Sequence, residues 1–226
     1  MNFNSFTKVF LSLVFLHLAS LYVSDNQKLI VFSKLLIVSS LIFWWIYKST
    51  ASKNLLNRLY LVGLICCFIG DAFLTYPGFF LSGLLSFLVA QLLYAFVFLK
   101  KVLDLNSKVL GFSVGIGSSI GLFLFLIVPR INLIEEELRL PVIVYSLSIL
   151  FMFAMAIALS ISAWSKWRWI GLSAFLFVLS DTLLAWSMFI SKFDYNSILI
   201  MATYSLAQFG IMRSLDLNVN KDLVES

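Results

Sequence analysis

The sequence predicts an all-α, polytopic transmembrane bundle of about eight helices, forming a single integral membrane domain over residues 1–226. Three observations predict it. Of 226 residues, 62% are hydrophobic and only 12% charged, with a mean hydropathy of +1.02; a soluble domain is about 45–50% apolar and about 25% charged. That little charge cannot cover a water-facing surface, so lipid must be the solvent for much of the chain. Apolar runs recur along its whole length, which excludes a soluble domain with one anchor. Three prolines and ten glycines leave little material for long loops.

A spanning helix needs roughly 20 apolar residues. Eight segments meet that length, at about 6–23, 28–47, 55–76, 78–99, 108–128, 141–162, 168–190 and 195–215. In the first, Lys8 is followed by an apolar stretch to Val23 with no clear small-x-small cleavage site after it, so it reads as an uncleaved helix. Ser24-Asp25-Asn26 ends it, and the stretch from Lys48 to Asn57 is polar. Pro77-Gly78 marks a tight turn, Lys100 to Lys108 a basic loop, and Pro129 to Pro141 a loop with the acidic run Glu135-Glu136-Glu137. Ser191 to Asn196 separates the last two spans, and the polar tail 216–226 is expected to be flexible.

The net charge of +5 comes in ones and twos between apolar runs, without a basic stripe or interleaved aromatics. No nucleic-acid partner is expected; the placement is that of topology determinants and headgroup contacts. Lys8, Lys48, Lys53, Arg58, Lys100, Lys101, Lys108, Lys166, Arg168, Arg213 and Lys221 fall on one face. Lys28, Arg130, Arg139 and Lys192 fall on the other, and Lys34 lies within a span. This excess places both termini in the cytoplasm and the acidic run outside. The expected location is a multi-pass position in a membrane, the cell inner membrane if the source is bacterial. Adjacent Cys66 and Cys67 read as buried free thiols. His17 has no Cys, Asp or Glu at ligand spacing, so no metal site is expected around it. No phosphate-binding glycine loop, Gly-x-Ser-x-Gly elbow or His-Glu-x-x-His motif is present. Gly111, Gly115, Gly117 and Gly121 give small-xxx-small spacings that suit close helix packing.

Ionisable residues inside a span are costly and mark functional sites by default. Three stand out: Lys34, Asp71 and Asp181. In the topology above all three fall in the outer half of the membrane, Asp71 about a turn and a half from its surface. One reading makes Lys34 and one aspartate a structural ion pair, with the other aspartate bridging helices. A second makes them the polar end of a cavity, where two nearby carboxylates cannot both ionise cheaply and form an acid/base pair. Gln91, Tyr94, Tyr145, Tyr204 and Gln208 lie near these positions and can orient a headgroup or water, or bond across helices.

The two aspartates sit in similar surroundings. Ile69-Gly70-Asp71-Ala72-Phe73-Leu74 echoes Leu179-Ser180-Asp181-Thr182-Leu183-Leu184, and each is followed in the next span by Ala-Gln, at Ala90-Gln91 and Ala207-Gln208. A parallel repeat of four plus four helices, with the site between halves, accounts for this echo. Residue types alone leave three functions open: an enzyme, a transporter of lipids or small solutes using the same cavity, and a non-catalytic lipid-binding protein.

At these residues the chain resembles the YhhN-like lysoplasmalogenase family of integral membrane proteins. The resemblance is carried by Gly70-Asp71-Ala72-Phe73-Leu74, by Phe87-Leu88-Val89-Ala90-Gln91-Leu92-Leu93-Tyr94, and by Leu140-Pro141-Val142-Ile143-Val144-Tyr145. It continues through Phe177-Val178-Leu179-Ser180-Asp181-Thr182-Leu183-Leu184-Ala185 and Ala202-Thr203-Tyr204-Ser205-Leu206-Ala207-Gln208. It implies about eight spans and hydrolysis of the vinyl-ether bond of a lysophospholipid substrate to a fatty aldehyde and a glycerophospho-headgroup, without a cofactor. Asp71 and Asp181 match its catalytic candidates, and Lys34 its usual lysine. Two departures stand out: Gln91 occupies a position where many members have histidine, and Leu35 replaces a proline.

Overall fold

The structure is a computed structural model that describes residues 2–23, 26–49, 54–76, 78–105 and 108–222. The breaks expected at Ser24-Asp25, at 50–53 and at Pro77, and the last residues 223–226, lie outside the described residues. Eight α-helices follow one another, and no strand occurs among the described residues. They are α1 (Phe3–Val23), α2 (Gln27–Ser49), α3 (Leu55–Phe73), α4 (Phe80–Leu103), α5 (Val109–Leu126), α6 (Glu136–Ser162), α7 (Trp164–Phe189) and α8 (Asn196–Asp222). All eight are long and apolar enough to cross a membrane.

Local chemistry sets the ends. Asn54 caps α3 by accepting a hydrogen bond from the Leu56 amide at 3.0 Å. Beyond α3 the chain turns through Gly78, whose φ of +87° is a conformation that favours glycine. The acidic loop read between Pro129 and Pro141 is largely ordered instead. A 3-10 segment, Val128–Leu133, is followed after Ile134 and Glu135 by α6, whose first turn takes in Glu136 and Glu137. Carboxylates there are favoured by the helix dipole, so α6 starts five residues before Pro141. At the other end α8 continues past residue 215 to Asp222, with Leu215 and Asp216 buried and Arg213 3.9 Å from Asp216.

By the share of an 18-residue apolar stretch that is buried, α6 is the most enclosed helix, at 67%, and α5 the most peripheral, at 17%. Each helix packs on the next except α4, which packs on α6 rather than on α5, and α2 also packs on α8. One end of the bundle is filled by aromatic rings. Phe6 stacks on Trp44 at 4.5 Å and Phe10 on Phe209 at 4.8 Å, joining α1, α2 and α8. The opposite end is hollow.

The glycines of α5 divide between two faces. A Cβ on Gly111 or Gly115 would run into the carbonyls of Ala158 and Ala154 on α6, whereas Gly117 and Gly121 face open space. Close packing of the kind anticipated for all four therefore belongs to the first pair only. Gly115→Leu is expected to destabilise the protein by about 1–3 kcal/mol through overpacking, and Gly117→Leu to have no measurable effect. Thermal unfolding of both variants in detergent checks this, and equal melting temperatures would contradict the assignment.

Candidate active site

The hollow end holds a cavity of about 400 Å³ whose walls are mostly apolar. Asp71 lies two residues before the end of α3, where backbone carbonyls lack helical partners. Its own carbonyl accepts from the Thr75 hydroxyl at 2.9 Å and from the Lys34 ammonium at 3.3 Å. That ammonium, on α2, also stands 3.3 Å from Oδ1 of Asp71. A cation beside a helix C-terminus is favoured by the dipole as well as by the carboxylate. The remaining oxygen, Oδ2, accepts from the Tyr204 hydroxyl of α8 at 2.8 Å. Both carboxylate oxygens are thus engaged, and Asp71 is only 3% exposed.

Asp181, on α7, is held differently. The Tyr145 hydroxyl of α6 and the Gln91 amide of α4, the latter at 3.2 Å, both donate to Oδ2. Among the described residues no donor reaches Oδ1, and no cation pairs with this carboxylate. Gln91 is itself fixed by the Ser148 hydroxyl, which donates to its Oε1 at 2.6 Å. Gln91 therefore donates to the acid and accepts from a serine, two roles a neutral imidazole also combines.

Lys34, Asp71, Tyr145, Asp181 and Tyr204 all line the one cavity. Gln91, Tyr94 and Gln208 do not. All three are fully buried and lie behind its wall, in contact with the residues in front of them rather than with the cavity. Tyr94 donates to Gln208 Oε1 at 3.1 Å, and the Gln208 amide donates to Cys67 Sγ at 3.1 Å and to the Tyr204 hydroxyl at 3.3 Å. This layer fixes the ring that holds Asp71. His17 stands apart from the site, its Nδ1 2.9 Å from the Ser33 hydroxyl between α1 and α2.

Sequence reading missed Ser148, Cys67 and Arg130. The first two carry a usable signal, since Ser148 is three residues after Tyr145 and Cys67 four before Asp71, on the same helix faces. Arg130, which the charge count reads as a topology residue, lines the cavity from the 3-10 segment.

The family comparison fits this geometry: the YhhN family model matches residues 28–215, a range that includes every residue named at the cavity and behind it. The chain belongs to the YhhN family. Its eight apolar helices make this YhhN protein a multi-pass integral membrane protein. Among curated relatives, lysoplasmalogenase TMEM86B of Homo sapiens is 32% identical over 158 residues, covering 67% of this chain and 60% of that protein. Lysoplasmalogenase TMEM86A of Bos taurus is 34% identical over 159 residues, covering 68% and 63%. The matched region thus spans less than two-thirds of the length of these relatives. No solved structure matches this YhhN protein.

Proposed function

We propose that the protein is a membrane hydrolase that cleaves the vinyl-ether bond of lysoplasmalogens, releasing a fatty aldehyde and a glycerophospho-ethanolamine or -choline. The observation that carries this reading is that Asp71 and Asp181 face one apolar cavity in differing charge environments. The named activity of the relatives supports it. Hydrolysis of a vinyl ether needs an acid that protonates the β-carbon of the double bond and a carboxylate that stabilises the resulting oxocarbenium ion.

Asp71, paired with Lys34, is the carboxylate in this scheme. Asp181, with no cation beside it and with Oδ2 occupied by two donors, is the acid, its proton carried on Oδ1. Proton transfer from Asp181 to the β-carbon breaks the double bond and leaves an oxocarbenium ion at the ether carbon. Water adds to that carbon and gives a proton to Asp71, forming a hemiacetal. The hemiacetal hydroxyl then returns a proton to Asp181, while the glycerol oxygen leaves with the proton from Asp71. Aldehyde and alcohol are released and both carboxyl groups regain their starting states. Tyr145 and Tyr204 hold the two acids in place, and the apolar walls take the single alkenyl chain.

The positive-inside distribution supports a topology with both termini cytoplasmic. The cavity lies at the end where α3 meets α4 and α5 meets α6, so in that topology it opens toward the outer face. The two halves of the site support a four-plus-four repeat. Asp71 is held from α2 and α8, and Asp181 from α6 and α4, positions that exchange when the halves exchange.

Purified protein incubated with an alkenyl lysophosphatidylethanolamine or -choline is expected to release fatty aldehyde and the glycerophospho-headgroup. In deuterium oxide the aldehyde is expected to carry one solvent deuterium on the carbon next to the carbonyl, because that carbon receives the proton. Release of fatty acid from acyl lysolipids instead, or no aldehyde from either substrate, would overturn the reading.

A further inference from the structure

We propose that Arg130 is the phosphate-binding residue of the cavity, recognising the anionic phosphodiester of a lysophospholipid at the rim while the glycerol end reaches the aspartates. This rests on the lysophospholipid reading above and names the part of the ligand that its aspartates do not explain. Four charged side chains line the cavity: Lys34, Asp71, Arg130 and Asp181. Lys34 is already committed to Asp71, through both its carboxylate and its carbonyl. A phosphate reaching for Lys34 would have to compete with a buried carboxylate 3.3 Å away.

Arg130 has no such partner. Its Nη1 donates to the carbonyls of Phe125 at 2.8 Å and Leu126 at 3.2 Å, at the end of α5. Those bonds fix the guanidinium without neutralising it, and among the described residues no carboxylate pairs with it. Among the described residues no acceptor is seen for its Nη2 or Nε. Its guanidinium carbon lies 5.2 Å from the centre of the Trp186 ring, so the group is braced between the 3-10 segment and the end of α7. A planar guanidinium held from one edge presents the other edge as a two-pronged donor, the geometry that suits a phosphate. Arginine and tryptophan beside an apolar cavity also match the level at which headgroups lie.

The test is binding of two uncleavable ligands to the full chain in detergent. One is 1-O-hexadecyl-glycerophosphoethanolamine, whose saturated ether has no double bond to protonate. The other is 1-O-hexadecylglycerol, the same chain and ether without the phosphate. Wild type is expected to bind the phospholipid more tightly. Arg130→Gln is expected to weaken that binding roughly tenfold to a hundredfold, the worth of a charged hydrogen bond or two, and to leave alkylglycerol binding unchanged. Arg130→Lys keeps the charge but loses the fork, and is expected to lie between them. It serves as the readout if the glutamine variant does not fold. Equal affinity of wild type for the two ligands, or equal loss of both in the variant, would overturn the proposal. Neither ligand requires turnover. A protein that shows this pattern but releases no aldehyde would therefore refute the hydrolase and leave the phosphate site standing.

Discussion

Asp181→Asn is expected to abolish aldehyde release, lowering kcat by roughly 10²–10⁴, the range for loss of a general acid. Its melting temperature is expected to stay within about 2 °C of wild type. The two outcomes separate because asparagine copies the shape of a neutral carboxylic acid. Its carbonyl oxygen can take the hydrogen bonds that Tyr145 and Gln91 give to Oδ2. Its NH₂ group stands where the acid's O–H would be, but cannot deliver a proton to carbon. Aldehyde release and thermal unfolding measured on one preparation give both answers. A variant that folds normally and retains more than a tenth of wild-type activity would remove Asp181 from the acid role.

How much of this was legible in the sequence follows from where the information lies. Lipid leaves only helices or a closed barrel for backbone groups that have no water to bond, and apolar runs of about twenty residues are too long for barrel strands, so eight such runs suffice for the fold class and helix number. The boundaries near Glu136 and Asp222 were harder. Polarity reads as loop, whereas Glu136 and Glu137 are favoured at a helix start, and Asp216 is buried beside Arg213. Ionisable residues inside spans were conspicuous for their cost, which is why Lys34, Asp71 and Asp181 could be named together. Which of them pair was not legible. Lys34 meets Asp71 across 37 positions and Gln91 meets Asp181 across 90, distances set by helix packing rather than by local spacing. Polar residues also look alike in sequence whether they face a cavity or another helix. Nothing in the sequence therefore separates Tyr145 and Tyr204, which line the space, from Tyr94 and Gln208, which sit behind it.

The Lys34–Asp71 pair provides the test that separates a structural ion pair from a working one. Asp71→Asn strands an ammonium whose side chain is 16% exposed, and Lys34→Met strands a carboxylate that is 4% exposed. Each single change is expected to cost about 2–4 kcal/mol, because most of the loss is the penalty for a buried charge without its partner. The carboxylate suffers more. It keeps only the Tyr204 donor, while the lysine retains the Asp71 carbonyl and a route toward the cavity. In the double variant, Lys34→Met with Asp71→Asn, no charge is left to strand, and its cost is expected to fall below the sum of the singles by about 1–3 kcal/mol. Denaturant or thermal unfolding of the four proteins in detergent measures that coupling. Activity should not follow stability. The double variant refolds the wall of the cavity without restoring an anion to face the oxocarbenium ion, so it is expected to remain as inactive as Asp71→Asn. Recovery of aldehyde release together with stability would mean that the pair only holds α2 against α3, and the chemistry would then rest on Asp181 alone.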